Sequence, residues 1–288
     1  MLGDNLLYIL GFKSSQYEKT TPIKLSEDFN LKFVNGLKDI ELTNKDVLIR
    51  YGVTYFPKKD YDCRIVINSA RAVSDTIDKV LSTKLLLRSN IPMPKVFFDS
   101  NKIKYKDLPV FRRLKNHSKG KDIIIVRKLK DMPKGDFFTK YIPSKREYRI
   151  LVFRGQALRI QLKHKKKESV RDKVKNSEHG YRFLNVFEHN VPMEKRLIQI
   201  AIRSVQVLNL DFGAVDILVG RNGRPYVLEV NSAPRLNRSG RELLMLHILE
   251  TVGAKFDMLS FHRIKMNNRL LDLPLRFITY NSSKKRKD

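Results

Sequence analysis

Three oxygen-bearing side chains, Asp216, Glu229 and Asn231, stand in a pattern that suits a hard divalent cation. Asp216 falls in the apolar run Asp216-Ile217-Leu218-Val219. A turn at Arg221-Asn222-Gly223-Arg224 follows, and then Leu228-Glu229-Val230-Asn231-Ser232-Ala233-Pro234. Asn-Gly between two apolar runs is the strongest short-range signal for a β-hairpin. Glu229 and Asn231 are two apart on one strand, so both face the same way, with Asp216 on the partner strand. Mg²⁺ takes oxygen ligands and keeps several waters or phosphates. Two acids beside a hairpin are also what a solvent-facing strand carries. Here, however, Glu229 and Asn231 alternate with Leu228, Val230 and Ala233, and a carboxylate in so apolar a setting needs a partner.

The elements that position this hairpin can be read along the chain. Leu6-Leu7-Tyr8-Ile9-Leu10, Val47-Leu48-Ile49-Arg50-Tyr51 and Cys63-Arg64-Ile65-Val66-Ile67 read as buried strands. They predict a small α/β domain over residues 1–75, with the remaining 76–288 forming a second domain. Ser69 to Ser89 repeats Val73, Ile77, Val80, Leu81, Leu85 and Leu87 at helical spacing, and Asn90-Ile91-Pro92-Met93-Pro94 stops the helix. Val96-Phe97-Phe98 reads as a strand. Residues 109–142 hold three strand candidates, Pro109 to Phe111, Ile123 to Val126 and Phe137 to Thr139, with a polar loop from Lys115 to Asp122. Glu147 to Phe153 and Ala157 to Leu162 make an antiparallel pair across Arg154-Gly155. Lys163 to Gly180 reads as a basic, mobile loop. Glu194 to Leu208 and Arg241 to Val252 read as helices.

Composition bounds the partners. The 288 residues include 58 Lys and Arg against 30 Asp and Glu, for a net charge of +28. Such a field attracts polyanions, namely nucleic acid, nucleotides, acidic polypeptide or anionic lipid, although a solvated, salt-tolerant surface has the same composition. The single cysteine, Cys63, cannot form an internal disulfide, and a reducing, cytoplasmic setting is expected. No run of 18 apolar residues offers a membrane span. Neither His nor Cys stands at zinc-ligand spacing. His117, in the polar loop, reads either as a phosphate contact or as a solvated side chain, and Arg50 either as a carboxylate grip or as the end of a strand.

Three segments together resemble the ATP-grasp superfamily. GAVDILVGRNGRPYVLEVNSAPRL, at 213–236, resembles its metal-binding hairpin, as in enzymes of the D-alanine–D-alanine ligase and ribosomal-protein glutamate ligase type. NSARAVSDTIDKVLSTKLLLRSNIPMP, at 68–94, is similar to its Asn, Asp-Lys and leucine-bearing helix before Ile-Pro-x-Pro. KYIPSKREYRILVFRGQALRIQLK, at 140–163, is similar to its strand with an acid-x-Arg pair and a following basic residue. The resemblance covers residues 68–236 in family order, while residues 1–67 match only a generic preceding domain. It departs from the family at Arg113, where lysine is usual, at the glycine-poor lid loop with Gly120 alone, and at Lys140, where an acid is common.

The resemblance implies an α/β sandwich in an ATP-grasp fold, with a lid over about 109–142. It implies ATP contacts from Lys79, Arg113, Glu147 and Lys163, and adenine recognition by the backbone of Tyr141 and Ile142. Asp216, Glu229 and Asn231 become ligands for Mg²⁺, with Mn²⁺ as a substitute, and Arg149 and Arg235 become catalytic candidates beside the reacting group. The implied reaction is ATP-dependent ligation of a carboxylate to an amine, in an amino acid or peptide, through an acyl phosphate. A ligase that modifies nucleic acid, and a nucleic-acid-binding protein on an inactive scaffold of this kind, stand as alternatives. The basic run Lys163-His164-Lys165-Lys166-Lys167 is expected either to steer an anionic acceptor or to be a solvated face.

Overall fold

The structure, a computed structural model, describes residues 7–12, 20–36, 41–54, 63–115, 123–165, 181–186 and 194–253. The three strands read at the start of the chain join a fourth, β2, in a parallel sheet of order β2-β1-β3-β4. Its members are β1 (Leu7–Gly11), β2 (Lys32–Asn35), β3 (Val47–Arg50) and β4 (Ile65–Ile67). Helix α1 (Thr21–Phe29) crosses from β1 to β2. Neither α1 nor β2 was expected from the pattern. The helix opens with Pro22 and buries only Leu25 among its large apolar residues, and β2 has a single buried side chain, Val34.

The helix expected from Ser69 to Ser89 is two helices, α2 (Ala70–Ile77) and α3 (Lys79–Arg88). Asp78 separates them. Its backbone is extended (φ −67°, ψ 98°), and its carboxylate accepts the Val80 and Leu81 N–H groups. Aspartate favours this local bond over helix continuation, which is why it starts helices well. The break makes Lys79 the first residue of α3.

A small antiparallel sheet in the order β5-β8-β6-β7 spans the segment expected to form the lid, built from β5 (Val96–Phe97), β6 (Val110–Arg113), β7 (Ile124–Val126) and β8 (Phe137–Lys140). Phe97, Val110, Val126 and Phe138 make its small core. The lid loop from 116 to 122, with His117 and Gly120, lies outside the described residues.

The central sheet is five-stranded and antiparallel, in the order β11-β10-β9-β12-β13. Its strands are β9 (Ser144–Phe153), β10 (Gln156–Lys165), β11 (Tyr181–Asn185), β12 (Phe212–Gly220) and β13 (Pro225–Asn231). Lys163 to Lys165 therefore belong to strand β10, not to the loop expected from Lys163 onward. These residues pair in register with Tyr181 to Phe183, the partner supplied from beyond the basic stretch. Residues 166–180 lie outside the described residues.

Strand β12 is buried along its whole length. On one face of the sheet, Tyr148, Ile150, Val152, Val215 and Ile217 pack against α2, α3 and α4 (Lys195–Val207). On the other, Leu151, Phe153 and Phe212 pack against the parallel sheet and α5 (Arg238–Thr251). The β12–β13 turn closes with Gly223 in the left-handed region (φ 76°), as the Asn-Gly signal requires.

The parallel and central sheets are joined by polar bonds. Asn68, fully buried at φ 62°, accepts from the Asp211 and Phe212 N–H groups and donates to the Phe212 carbonyl. The Tyr51 hydroxyl donates to the Pro234 carbonyl. Gly52 (φ 72°) lies so close to Ala233 that a Cβ there would stand 2.5 Å from the Ala233 Cβ. The C-terminal end of β3 is thereby fixed beside the segment that leaves β13.

Candidate active site

The register of the central sheet gathers the charged residues. Arg149 on β9 lies opposite Asp216 on β12, which lies opposite Glu229 on β13. Directly paired residues in a sheet share a face, so these three form a row. The register shifts just after the Asp216–Glu229 pair, with Ile217 facing Val227, leaving Leu228 as a bulge.

Arg149 grips Asp216 with both prongs, Nε to Oδ1 at 2.7 Å and Nη2 to Oδ2 at 2.8 Å. Lys163 adds a third bond to Asp216 Oδ2 at 3.2 Å and donates to Glu147 Oε1. These groups are desolvated. The side chains of Asp216 and Lys163 are only 4% and 8% exposed. Burial alone would push the Asp216 carboxyl up, but Arg149 and Lys163 reverse this and hold it well below the usual carboxylate range. Burial would likewise lower the Lys163 ammonium, yet Asp216 and Glu147 hold it above its ordinary value. Arg149 is held charged by the same carboxylates against the pull of burial.

Lys79 approaches from α3. Its ammonium donates to the Val230 carbonyl at 3.2 Å and lies 3.9 Å from Glu229 Oε2. Asn231 Nδ2 donates to Glu229 Oε1 at 3.1 Å. Burial raises the Glu229 carboxyl, and Asp216 adds repulsion, but Lys79, Arg113 and Asn231 outweigh both and leave it lowered. Arg113 comes from strand β6 of the small sheet. Burial draws its guanidinium down, opposed by Glu229, Glu147 and Asp216, and its Nε is buried with no hydrogen-bond partner.

Seven of the expected residues are thus brought together: Lys79, Arg113, Glu147, Arg149, Lys163, Asp216 and Glu229, with Asn231 at the edge. Tyr141 and Ile142 lie between β8 and β9, where the chain passes from the small sheet to the central sheet. The Tyr141 N–H is committed to the Pro109 carbonyl at 3.0 Å, its ring meets Phe111 edge-on, and Ile142 packs beside Gly220. Arg235 is exposed on the segment leaving β13, one residue past the buried Pro234. Arg50 is buried at the end of β3, next to Tyr51 and Gly52.

Two neighbours of the cluster were not singled out from sequence. Phe183 on β11 lies beneath Arg149, whose guanidinium carbon is 4.7 Å from the ring centroid. The alternation Tyr181, Phe183, Asn185 is the strand signal that marks it. Lys115 pairs with Asp78 at 2.9 Å, and its carbonyl accepts the Lys79 N–H at 3.3 Å, so the end of β6 is tied to the start of α3. No local sequence signal joins residues so far apart.

Among the described residues no group of three His, Cys, Asp or Glu side chains is arranged to hold a metal ion. The oxygen set available is two carboxylates held in the charged form and one carboxamide, which is what a hard cation takes. Asp216 already accepts three bonds, so Glu229 Oε2 and Asn231 Oδ1 are its least engaged oxygens. The orphaned Nε of Arg113, facing the same space, suits a phosphate oxygen.

This arrangement of sheets defines the ATP-grasp fold. The chain is similar to the ATP-grasp ligase PsnB complexed with minimal precursor, at 11% identity and TM-score 0.59, over 85% of this chain and 99% of that one. It is also similar to D-alanine–D-alanine ligase from Bacillus anthracis, at 16% identity and TM-score 0.57, over 91% and 99%. A third neighbour is N5-carboxyaminoimidazole synthase from Aspergillus clavatus, at 11% identity and TM-score 0.57, over 90% and 80%. No protein-family model matches the sequence, and no curated protein is detectably similar to it. Among the described residues no helix is long and apolar enough to cross a membrane.

Proposed function

We propose that the protein is an ATP-dependent ligase that activates a carboxylate and joins it to an amine of an amino acid or peptide. The observation that carries this reading is the buried cluster of Lys79, Arg113, Arg149 and Lys163 against Glu147, Asp216 and Glu229, set where the lid and central sheet of an ATP-grasp fold meet. Four cations against three carboxylates leave a local excess of positive charge suited to a triphosphate. Neighbours of the same fold are complexed with ADP and Mg in one case and with ATP in another.

In this reading Lys79, Arg113 and Lys163 hold phosphate oxygens, and backbone groups at Tyr141 and Ile142 face the base. Because the Tyr141 N–H is used within the lid, the donor to the base is the Ile142 amide. Asp216, Glu229 and Asn231 would hold Mg²⁺, which when bound would supply neutralisation of the phosphate charge. The substrate carboxylate oxygen attacks the γ-phosphorus and the bond to the ADP oxygen breaks. The amine then attacks the acyl carbon, releasing phosphate and a proton. Arg149, preset by its fork on Asp216, and Arg235 flank the acyl oxygen, where a well-placed donor is worth about 3–4 kcal/mol. The lid excludes water, which would otherwise hydrolyse the acyl phosphate.

The test is thermal stability with Mg·ATP and with ATP plus EDTA, followed by mass spectrometry of products after incubation with pooled amino acids and peptides. Ligand at about 100 times Kd stabilises a fold by about 2.7 kcal/mol. Mg·ATP is expected to raise the midpoint and ATP with EDTA to raise it less. An unchanged midpoint at saturating Mg·ATP would refute the reading.

A further inference from the structure

The two faces of the lid sheet differ. Along β6, Val110 and Arg112 point one way, and Phe111 and Arg113 the other. Arg113 faces the carboxylates of the central sheet. Val110, with Phe97, Val126 and Phe138, faces outward under three short 3₁₀ turns, Ser100–Lys102, Tyr105–Asp107 and Leu129–Asp131. Ile103 and Leu129, one from each side of this cover, meet in the same apolar cluster. The turns that flank them are therefore neighbours in space although they are far apart in sequence.

The cover is strongly basic. Lys102, Lys104, Lys106, Lys128 and Lys130 are all exposed, and among the described residues none has an ionic partner. The carboxylates nearby are few and partly committed. Asp107 is buried and bound to Lys95 at 2.9 Å and to the Lys104 N–H at 3.1 Å. Asp99 caps the first turn, and Asp131 is the other exposed acid. In the middle of the lysines stands Tyr105, 80% exposed, the most exposed large apolar side chain among the described residues. Its neighbour Asp107, with Lys140 bonded to the Lys106 carbonyl at 3.1 Å, fixes the turn that presents it.

We propose that this outer lid face, centred on Lys104-Tyr105-Lys106, binds single-stranded nucleic acid, with Tyr105 stacked on a base and the lysines on phosphates. The chemistry favours that partner over others. A flat, open phenol ring between cations offers a stacking platform, which every base can use. A duplex hides its base faces, and an acidic polypeptide has no use for the ring beyond its area. A membrane surface would need an apolar face, and here one ring stands alone among lysines. The site lies on the side of the lid away from Arg113, so the surface goes beyond the ligase reading and does not depend on it.

The experiment is fluorescence anisotropy with labelled oligo-dT and oligo-U of about 16 nucleotides, the upper site size of a single binding fold. A duplex of equal charge and polyglutamate serve as comparison ligands. Three variants are measured on the full chain: Lys102, Lys104 and Lys106 together to Gln; Lys45, Arg88 and Arg224 together to Gln as a charge-matched control; and Tyr105→Ala. The lid triple variant is expected to bind oligo-dT at least tenfold more weakly at low salt, and its salt slope is expected to fall by about 2, at about 0.7 per lost phosphate contact. The control should stay within about threefold of wild type. Tyr105→Ala should weaken single-strand binding by at least about fivefold, the low end of a stacking contact, and leave duplex binding unchanged. Equal losses in the lid triple and the control would assign the binding to net charge alone and overturn the proposal. So would a Tyr105→Ala variant that binds like wild type, or polyglutamate bound as tightly as the oligonucleotides. Mg·ATP stabilisation is measured on the same samples, so each reading stands or falls on its own result.

Discussion

One face of strand β9 carries Glu147, Arg149, Leu151 and Phe153 in succession. The last two sit in an apolar core with Phe212 and helix α5, whereas the first two enter the charge cluster with Lys163 and Asp216. Both halves are withdrawn from water, but by opposite means. The apolar half gains free energy by leaving water. The charged half loses hydration that its ion pairs at best recover, so a buried ion-pair network is weak evidence for stability. A sheet that needed only to fold would continue the apolar pattern to its end. Charge at Glu147 and Arg149 interrupts the apolar face where the proposed site begins.

The largest effects test whether the two halves are held differently. Phe153→Ala opens a cavity in the core and is expected to reduce stability by about 3–5 kcal/mol in urea unfolding. Asp216→Ala strands Arg149 as a buried cation and leaves Lys163 with Glu147 alone, and is expected to lose about as much, about 3–5 kcal/mol. The halves part in a further variant. Replacing Arg149 by Met and Asp216 by Leu together should recover most of the loss and abolish stabilisation by Mg·ATP. If that double variant were as unstable as Asp216→Ala, the charged half would be as necessary to folding as the apolar half, and the contrast would fail.

Acid should act on the charged half alone. Asp216 and Glu229 are both lowered on folding by their cationic neighbours against the opposing effect of burial. A carboxylate with a depressed folded pKa contributes stability above its unfolded value, about 3.9 for Asp and 4.3 for Glu. That stability is lost as pH falls through the folded value. Urea midpoints from pH 6 downward are therefore expected to fall more steeply in wild type than in the Arg149→Met, Asp216→Leu variant, while Phe153→Ala should keep the wild-type slope. Parallel curves for all three would place the acid sensitivity elsewhere.

Glu229→Gln is smaller in its effect on folding. It keeps the shape and the Asn231 contact and removes one charge beside Lys79. The Glu229 side chain is 27% exposed and its nearest cation is 3.9 Å away, so stability without ligand should change by less than about 1 kcal/mol, as for a solvent-accessible ion pair, but most of the roughly 2.7 kcal/mol from saturating Mg·ATP should disappear. Retention of the full Mg·ATP shift would place the metal elsewhere.

The legibility of the two halves also differs, for a physical reason. The apolar half follows the period of two, which sequence displays directly. The β12–β13 hairpin, with Asp216, Glu229 and Asn231, was legible from alternation and Asn-Gly alone. The grip of Arg149 on Asp216 is set by the pairing of β9 with β12, across 67 positions of sequence, and no local pattern encodes a register at that distance. The break at Asp78 was hidden because apolar spacing continued across it, whereas the capping bonds to Val80 and Leu81 decided the backbone. Helix α1 and strands β2 and β11 were missed because each is short and only partly buried, so its apolar signal is weak. The resemblance at 68–236 drew the cluster together where periodicity could not.

The smallest expected effect concerns Phe183, where the two kinds of burial meet. Its ring is partly exposed and lies on β11 opposite Lys163, with the Arg149 guanidinium 4.7 Å from its centroid. The ring covers the network with apolar area, and its face attracts the cation. The two contributions separate in a double-mutant cycle. Phe183→Leu keeps apolar cover and removes the π face, and Arg149→Gln keeps a polar side chain and removes the charge. A cation–π contact at a partly exposed site is worth about 0.5–1 kcal/mol, so the coupling energy from urea unfolding of wild type, both single variants and the double variant should fall in that range. Phe183→Tyr keeps the face and should retain the coupling. A coupling indistinguishable from zero would mean that Phe183 contributes area alone, and that Arg149 is aimed by Asp216 without help from the ring.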